Sequence, residues 1–394
     1  MPSLASCCRG LLVALAFTGC SGRSGSVAAP PVLPFPADTS STEVLRRGAI
    51  HRYIHSSAGP WAIHVLEVDL DRCHRALAVK GAVGAIGREK TSTLLSRLGS
   101  TGVVIGGVNA DFFLFAPPGV PAGAMISGGR VITGPSAQPV LSFDSGGMPR
   151  ILTLYSRGSA SLARRRFEIA GWNRAVPNGL ALFDGGWAAT LDTATSAIEV
   201  VLRGDALRTV VRVDTVVAGA SLPREGSALT ARRDAPADLR AALLALRPGD
   251  TVGIQMSLAP LHPSEAVGGR PVLVRDSVVT GAVDTEGQPG FATARHPRTA
   301  AGIARGGKRL VLVVVDGRQK PYSDGMSLRE LANLMLALGA RDAINLDGGG
   351  SSTFVIAGAV GSDSLRIANR PSDPAGERPV GNALAIVASC DARR

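Results

Sequence analysis

The sequence predicts an α+β fold, a sheet-dominated mixed α/β domain with few helices, on three observations. Short β-branched runs punctuated by Gly and Pro recur along the body of the chain. Helix signals are far fewer. No regular strand–helix–strand alternation and no internal repeat accompanies them, which argues against a doubly wound or solenoid fold. With 394 residues the chain is long enough to bury a large core.

The elements follow in order. Residues 1–20 carry one charge, Arg9, then the apolar run Leu11–Phe17 and Thr18-Gly19-Cys20. This reads as a secretory signal too short to span a membrane. Gly19-Cys20 resembles a bacterial lipoprotein signal, which implies cleavage before Cys20 and its lipidation; cleavage near Ala28-Ala29 is the alternative. Residues 21–45 are rich in Ser, Pro, Gly and Ala and read as a flexible tether, leaving residues 46–394 as the folded domain. Trp61–Leu70 partly alternates, as in a half-buried strand. Thr91–Leu98 reads as a short helix leading to a strand, Val103–Ile105, that is expected to stop at Gly106-Gly107.

Further strands are expected at Ile198–Leu202, Val210–Val217, Val252–Met256, Val272–Val274, Leu310–Val315, Thr353–Ile356 and Ala383–Val387. The unbroken apolar run Leu310–Val315 suits a central buried strand. Asp238–Leu246 follows Pro236 and is closed by Pro248-Gly249, as a helix would be. A second helix is better specified. Ser327 and Glu330 form a capping-box pattern, Leu328, Leu331, Met335 and Leu338 share a face, and Gly339 suits the C-terminal end.

Charge narrows the partners. Lys+Arg is 42 against 31 Asp+Glu, a net charge of +11, and only Lys80, Lys90, Lys308 and Lys320 among the basic residues are lysines. Biased composition accounts for most of this excess, although arginine is also the residue preferred for bidentate contact with phosphate. An aromatic content of 4% leaves few platforms for stacking bases, so no nucleic-acid partner is expected. In the mature chain only Cys73 and Cys390 remain, and they either form one disulfide or stay as two buried thiols. No zinc-type Cys/His spacing occurs. His51 and His55 have i,i+4 spacing in a weakly patterned stretch, and no metal site is assigned to them.

The chemistry is expected where strands run into small and charged residues. Asp342–Thr353 (DAINLDGGGSST) delivers Asn345 and Asp347 to one side of a strand, because residues two apart share a face. Gly348, Gly349 and Gly350 then let the backbone approach a ligand, and Ser351 and Ser352 follow. Free N–H groups in such a turn suit an oxyanion or phosphate. It is neither a P-loop nor a nucleophile elbow, and taken alone such a run is more often a plain tight turn. Asp316-Gly317-Arg318 repeats the pattern after the Leu310 run. Asn109-Ala110-Asp111 repeats it after Gly106-Gly107-Val108, followed by Phe112-Phe113, which read first as core. Arg298–Gly302 and Glu377–Asn382 supply further arginines and Asn382.

Together GGVNADFF, GGRPVLVRD, RTAAGIA, LVVVDGR, SLRELANLMLALGA, DAINLDGGGSSTFV and NRPSDPAGERPVGNAL, in this order, resemble the phosphodiester glycosidase family, most strongly over residues 103–129 and 266–388. The resemblance implies hydrolysis of the bond between a sugar's anomeric carbon and a phosphodiester, releasing free sugar and a phosphate monoester. It implies Asp316 and Asp347 as catalytic carboxylates, one base or nucleophile and one electrostatic stabiliser. Asn109, Arg298, Arg318, Asn345, Gly348, Gly349, Ser351, Ser352, Arg378 and Asn382 would surround the substrate, with Arg298 and Arg378 on the phosphate. Asp111 stands where the family often has a small residue. No cofactor is required, although a divalent cation on the carboxylates stays open. The expected partner is a phosphorylated carbohydrate, and contact with the membrane is through a lipid anchor alone. The alternatives are a non-catalytic envelope protein binding phosphorylated glycans and a general phosphodiesterase.

Overall fold

The run Arg309–Val315 lies in the middle of an eight-stranded antiparallel sheet in the computed structural model of the chain. The structure describes residues 31–394 except 82–83, 101, 163, 188–197, 205–206, 216–225, 359–363 and 390–394. The signal segment, Cys20, the first part of the tether and Cys390 lie outside the described residues.

Both faces of the central strand are buried, which is why its sequence does not alternate. Leu310, Leu312 and Val314 join one core cluster, and Val311, Val313 and Val315 join another. In sheet order the strands are Thr39–Arg46, Ala49–Ser56, Trp61–Asp69, Arg309–Val315, Arg298–Ala304, Ala340–Asn345, Val272–Arg275 and Val278–Val279. The helix Leu328–Ala337 covers the second face with Leu328, Leu331, Leu334 and Met335. Its start is as expected. The Ser327 hydroxyl accepts the Glu330 N–H, and the Glu330 carboxylate accepts the Ser327 N–H at 2.9 Å.

The other face packs on two five-stranded sheets. One holds Leu365–Ile367, Phe354–Ala357, Val104–Asn109, Ala383–Ala388 and His74–Val79 in that order. The other runs Arg130–Thr133, Met125–Ser127, Glu265–Gly268, Pro139–Phe143 and Pro149–Thr153. Residues between 155 and 259 form a closed barrel with its own core, on which the helix Ala237–Ala245 packs through Leu239, Ala242 and Leu243. The sheet-dominated expectation holds. Among the described residues no helix is long and apolar enough to cross a membrane.

Two boundaries differ from expectation. Residues 39–45 were assigned to a tether by composition, yet Thr39–Arg46 is an edge strand paired with Ala49–Ser56. Its residues are mostly exposed, so it shows no apolar pattern, and ladder hydrogen bonds hold it instead. Leu33 and Phe35 also pack against the core, with the Phe35 ring 4.7 Å from that of Trp61. Val104–Asn109 runs straight through Gly106-Gly107 instead of stopping there. A side chain on Gly107 would collide with the Leu384 carbonyl and lie 2.9 Å from Ala385 Cα, so glycine permits the neighbouring strand's approach. Cys73 is disulfide-bonded, and the Ser389 N–H donates to the Cys73 carbonyl at 2.7 Å.

Candidate active site

Antiparallel register brings the motifs to one end of the sheet. Arg298 pairs with Val315, and Ala300 with Asn345, so Arg298, Asp316 and Asn345 all lie at that end. The Asp347 N–H donates to the Ala110 carbonyl at 2.8 Å, joining it to the end of the strand Val104–Asn109 in the second sheet. The site therefore forms where two sheets meet, as active sites often do at element ends.

Asn109 is fully buried and pins this junction. Its Nδ2 donates to the Asp347 carbonyl at 2.6 Å, and its Oδ1 accepts from Thr299 Oγ1 at 2.8 Å and Thr353 N at 3.1 Å. Ser352 Oγ stands 3.4 Å from Thr299 Oγ1, and the Ser352 carbonyl accepts from Asn369 Nδ2 at 3.1 Å. Asn369 Nδ2 also donates to Asp316 Oδ1 at 2.9 Å. One hydrogen-bonded network thus links Asp316 to Asp347.

The two expected carboxylates differ. Asp347 is half-buried, with Oδ1 accepting the Gly348 N–H at 2.9 Å and the Ser351 hydroxyl bonded to it as well. Burial pushes its pKa up to about 6, against the pull of these donors and of Arg378. Asp316 is wholly enclosed. It accepts from Asn369, from the Arg370 N–H at 3.1 and 3.0 Å, and from the Tyr322 hydroxyl at 3.1 Å. Burial raises it to about 6 despite these bonds. His64 lies 3.9 Å away but is held neutral by burial, its pKa pushed down to about 3, so it supplies no counter-charge.

Sequence reading set Asp111 aside, yet it is the carboxylate whose charge couples to Asp347. It is 1% exposed, with Oδ2 accepting the Gly123 N–H at 2.7 Å and Oδ1 buried without a partner. Burial raises its pKa to about 7; the Gly123 N–H and Arg174 pull it down and Asp347 pushes it further up. Because this lies above the ordinary 3.8, Asp111 favours the folded state most at low pH, and that contribution is lost as pH rises through 7. Asp111→Asn should remove it. The fall in stability from pH 5 to pH 8 should shrink by about 2–3 kcal/mol, measured by urea unfolding at both pH values; an unchanged slope would contradict the assignment.

The arginines divide between the site and its frame. Arg318 and Arg378 flank the glycine turn. A Cβ on Gly349 would lie 3.2 Å from Arg318 Nη2, and one on Gly350 would fall inside the Arg378 guanidinium. Gly349 also sits at φ +61°, where only glycine is unstrained. Arg318 Nη2 reaches His296 Nδ1 at 3.3 Å, and Arg378 Nε donates to Asp373 at 2.8 Å. Arg298, expected on the phosphate, is 2% exposed and spends Nε and Nη2 on the carbonyls of Met326, Phe291 and Ala294. It frames the 291–296 loop. Asn345 donates Nδ2 to the Arg270 carbonyl at 2.7 Å, and Asn382 accepts the Asp111 N–H at 2.8 Å, so both are also internal struts.

Two clefts reach residues of this arginine framework. One, of about 480 Å³, is lined by Phe112, Arg270, Phe291 and His296, the partner of Arg318; the other, of about 650 Å³, by Arg88, Phe113, Phe115 and Arg378. Phe112 and Phe113, expected as core, are half-buried and face different clefts. Tyr322, Asn369 and Arg370 were not singled out by sequence. Asn369 and Arg370 open the segment NRPSDPAGERP, so a signal existed, whereas nothing marked Tyr322. His51 and His55 lie on the strand Ala49–Ser56 rather than on a helix. Among the described residues no group of three or more His, Cys, Asp or Glu could hold a metal ion.

Comparisons with known proteins agree with the motifs. Residues 196–387 match the sequence model of the family described as phosphodiester glycosidase. The N-acetylglucosamine-1-phosphodiester alpha-N-acetylglucosaminidase of Bos taurus is 44% identical over 72 residues, 18% of this chain and 13% of that protein. The Homo sapiens enzyme of the same name is 43% identical over 72 residues, with the same coverage. The chain thus spans about an eighth of the length of these curated relatives. Among solved structures, a hypothetical protein from Synechocystis shares the fold with a TM-score of 0.71 at 20% identity, covering 89% of this chain and 64% of that one. A candidate exported protein from Burkholderia pseudomallei gives a TM-score of 0.65 at 26% identity, covering 84% and 74%.

Proposed function

We propose that this chain, which resembles the phosphodiester glycosidases through residues 196–387, is an exported hydrolase that cleaves the C–O bond between a sugar's anomeric carbon and a phosphodiester. The observation that carries the reading is the glycine turn 348–350, with Asp347 at its start and the Arg318 and Arg378 guanidiniums against its glycines. A phosphodiester laid on this turn would meet two planar cations able to bind it bidentately. Phosphate is already an adequate leaving group, so the larger need is to neutralise its charge while supporting cationic character at the sugar.

Asp347 is the carboxylate placed to act on water or on the anomeric carbon, being the half-buried one. Asp316 contributes from beneath as a buried negative charge and as the anchor of Tyr322 and the 369–370 backbone. Arg298 supports the phosphate site through the loop it holds. The 480 Å³ cleft of Phe112, Phe291, Arg270 and His296 is suited to the sugar. The signal segment and Cys20 support export and a lipid anchor in a bacterial envelope, and likeness to a candidate exported protein supports the former. The Cys73–Cys390 pairing belongs to the same proposal: Cys73 is disulfide-bonded, and Ser389, next to Cys390, sits on its carbonyl.

Hydrolysis of an α-glycosyl phosphodiester in ¹⁸O water tests the reaction. Label is expected in the released sugar. Label in the phosphate would show P–O cleavage by a phosphodiesterase, and no turnover across several sugars would leave a glycan-binding protein.

A further inference from the structure

The 650 Å³ cleft beside Arg378 has features that holding a phosphodiester alone does not require. Its rim is the loop after Phe112, which places Phe115 in water at 82% exposure and Leu114 at 38%. Phe113 meets Phe115 edge-on, with ring centroids 5.9 Å apart. A solitary exposed phenylalanine needs no explanation, but a pair beside a cavity marks a contact surface.

The loop is held in this shape. The Leu114 N–H donates to the Val120 carbonyl at 2.8 Å, and the Gly119 N–H to the Leu114 carbonyl at 2.8 Å. Across the cleft the Gly87 N–H donates to the Pro118 carbonyl at 2.7 Å, and Lys80 Nζ to the Gly87 carbonyl at 2.7 Å. Gly119, at φ +76°, lies so close to the Gly87 carbonyl that no side chain would fit. Gly381 leaves space for Phe113, whose Cβ would lie 2.7 Å from any Cβ added there. An aromatic pair, Phe115 exposed and Phe113 half-buried beneath it, is thus pre-positioned, which spares a ligand the cost of ordering it.

The charge of the cleft is positive. Arg88 stands over the Phe113 ring at 5.9 Å and has no ion pair among the described residues. Arg378 gives Nε to Asp373, and its Nη2 lies at Gly350 beside the turn. An aromatic platform between two arginines matches a sugar ring that carries an acidic group.

We propose that the Arg88–Phe113–Phe115–Arg378 cleft binds the group on the far side of the phosphodiester, an anionic sugar whose ring lies on Phe115 and whose acidic group pairs with Arg88. This rests on the reading that the turn 348–350 holds the phosphodiester. The natural substrate is then a phosphodiester within an acidic glycan, rather than one ending in a small alcohol.

Calorimetry on the purified protein tests the assignment with two probes. One is a disaccharide phosphate monoester containing a uronate, and the other is its neutral counterpart. The uronate probe should bind about ten-fold more tightly, the yield of one charge-assisted pair. Arg88→Ala should abolish this preference, and Phe115→Ala should weaken both probes about ten-fold while leaving the preference intact. Equal binding of the two probes, or a preference that survives Arg88→Ala, overturns the proposal. If the probes behave as expected but no glycosyl phosphodiester is hydrolysed, the hydrolase reading fails and the cleft assignment stands. Hydrolysis without the preference is the reverse.

Discussion

Asp347→Asn should lower kcat on an α-glycosyl phosphodiester by about 10²–10⁴-fold, the usual range for a lost acid–base group. The substitution is nearly isosteric, and an amide oxygen still accepts the Gly348 N–H that the carboxylate accepts at 2.9 Å. The turn should therefore persist while the charge disappears. The pH dependence makes the prediction specific. Burial holds Asp347 at about 6, so its ionised form is lost as pH falls through 6, and kcat should fall about ten-fold per unit below that. The variant should lose this acidic limb. Stability should move the opposite way. Asp111, Asp316 and Asp347 all titrate above the ordinary 3.8, so the folded state is favoured most below that value and weakens as pH rises from there through the 6 to 7 at which they ionise in the fold. Activity rising while stability falls across that interval is the signature of carboxylates held for chemistry. A variant that keeps more than a tenth of the activity with its acidic limb intact would remove Asp347 from the mechanism.

Arg378→Ala should raise KM about 10–10²-fold and affect kcat less, because a charge-assisted hydrogen bond to phosphate contributes about 1.5–3 kcal/mol. Its affinity should also become less sensitive to salt. A steric version separates this from a folding effect. Gly350→Ala puts a methyl where the Arg378 guanidinium lies, and that end of a flexible side chain can move without disturbing the backbone. The variant should fold normally yet bind substrate more weakly, in the same direction as Arg378→Ala. Steady-state kinetics with thermal unfolding on both variants checks this. Unchanged KM in Arg378→Ala would place the phosphate elsewhere.

Much of the scaffold was legible because local chemistry decided it. Ser327 and Glu330 cap the helix Leu328–Ala337 through bonds three residues apart, which spacing alone predicts. The six apolar residues of Leu310–Val315 suited a strand buried on both faces, and that is what they form. The edge strand Thr39–Arg46 was not legible, since ladder bonds to Ala49–Ser56 hold it and leave no apolar period. The same limit applied to Gly106-Gly107, where the deciding contact is with Leu384 across the sheet.

The site shows the division most clearly. The sequence by itself determined a sheet-rich fold, the strand-end carboxylates Asp316 and Asp347, and the glycine turn, because each depends on residues a few positions apart. Only the tertiary structure decided which groups face which. It enclosed Asp316 and Arg298 in hydrogen bonds, left Asp347 half-buried, and turned Asn109 and Asn382 into struts. It also set Asp111 beside Asp347 through the bond from the Asp347 N–H to the Ala110 carbonyl. Burial and through-space charge set the pKa of a carboxylate. The fold brings Asn369 and Arg370 to Asp316 from 53 and 54 positions away and sets Asp111 beside Asp347 across most of the chain, separations that no local pattern encodes.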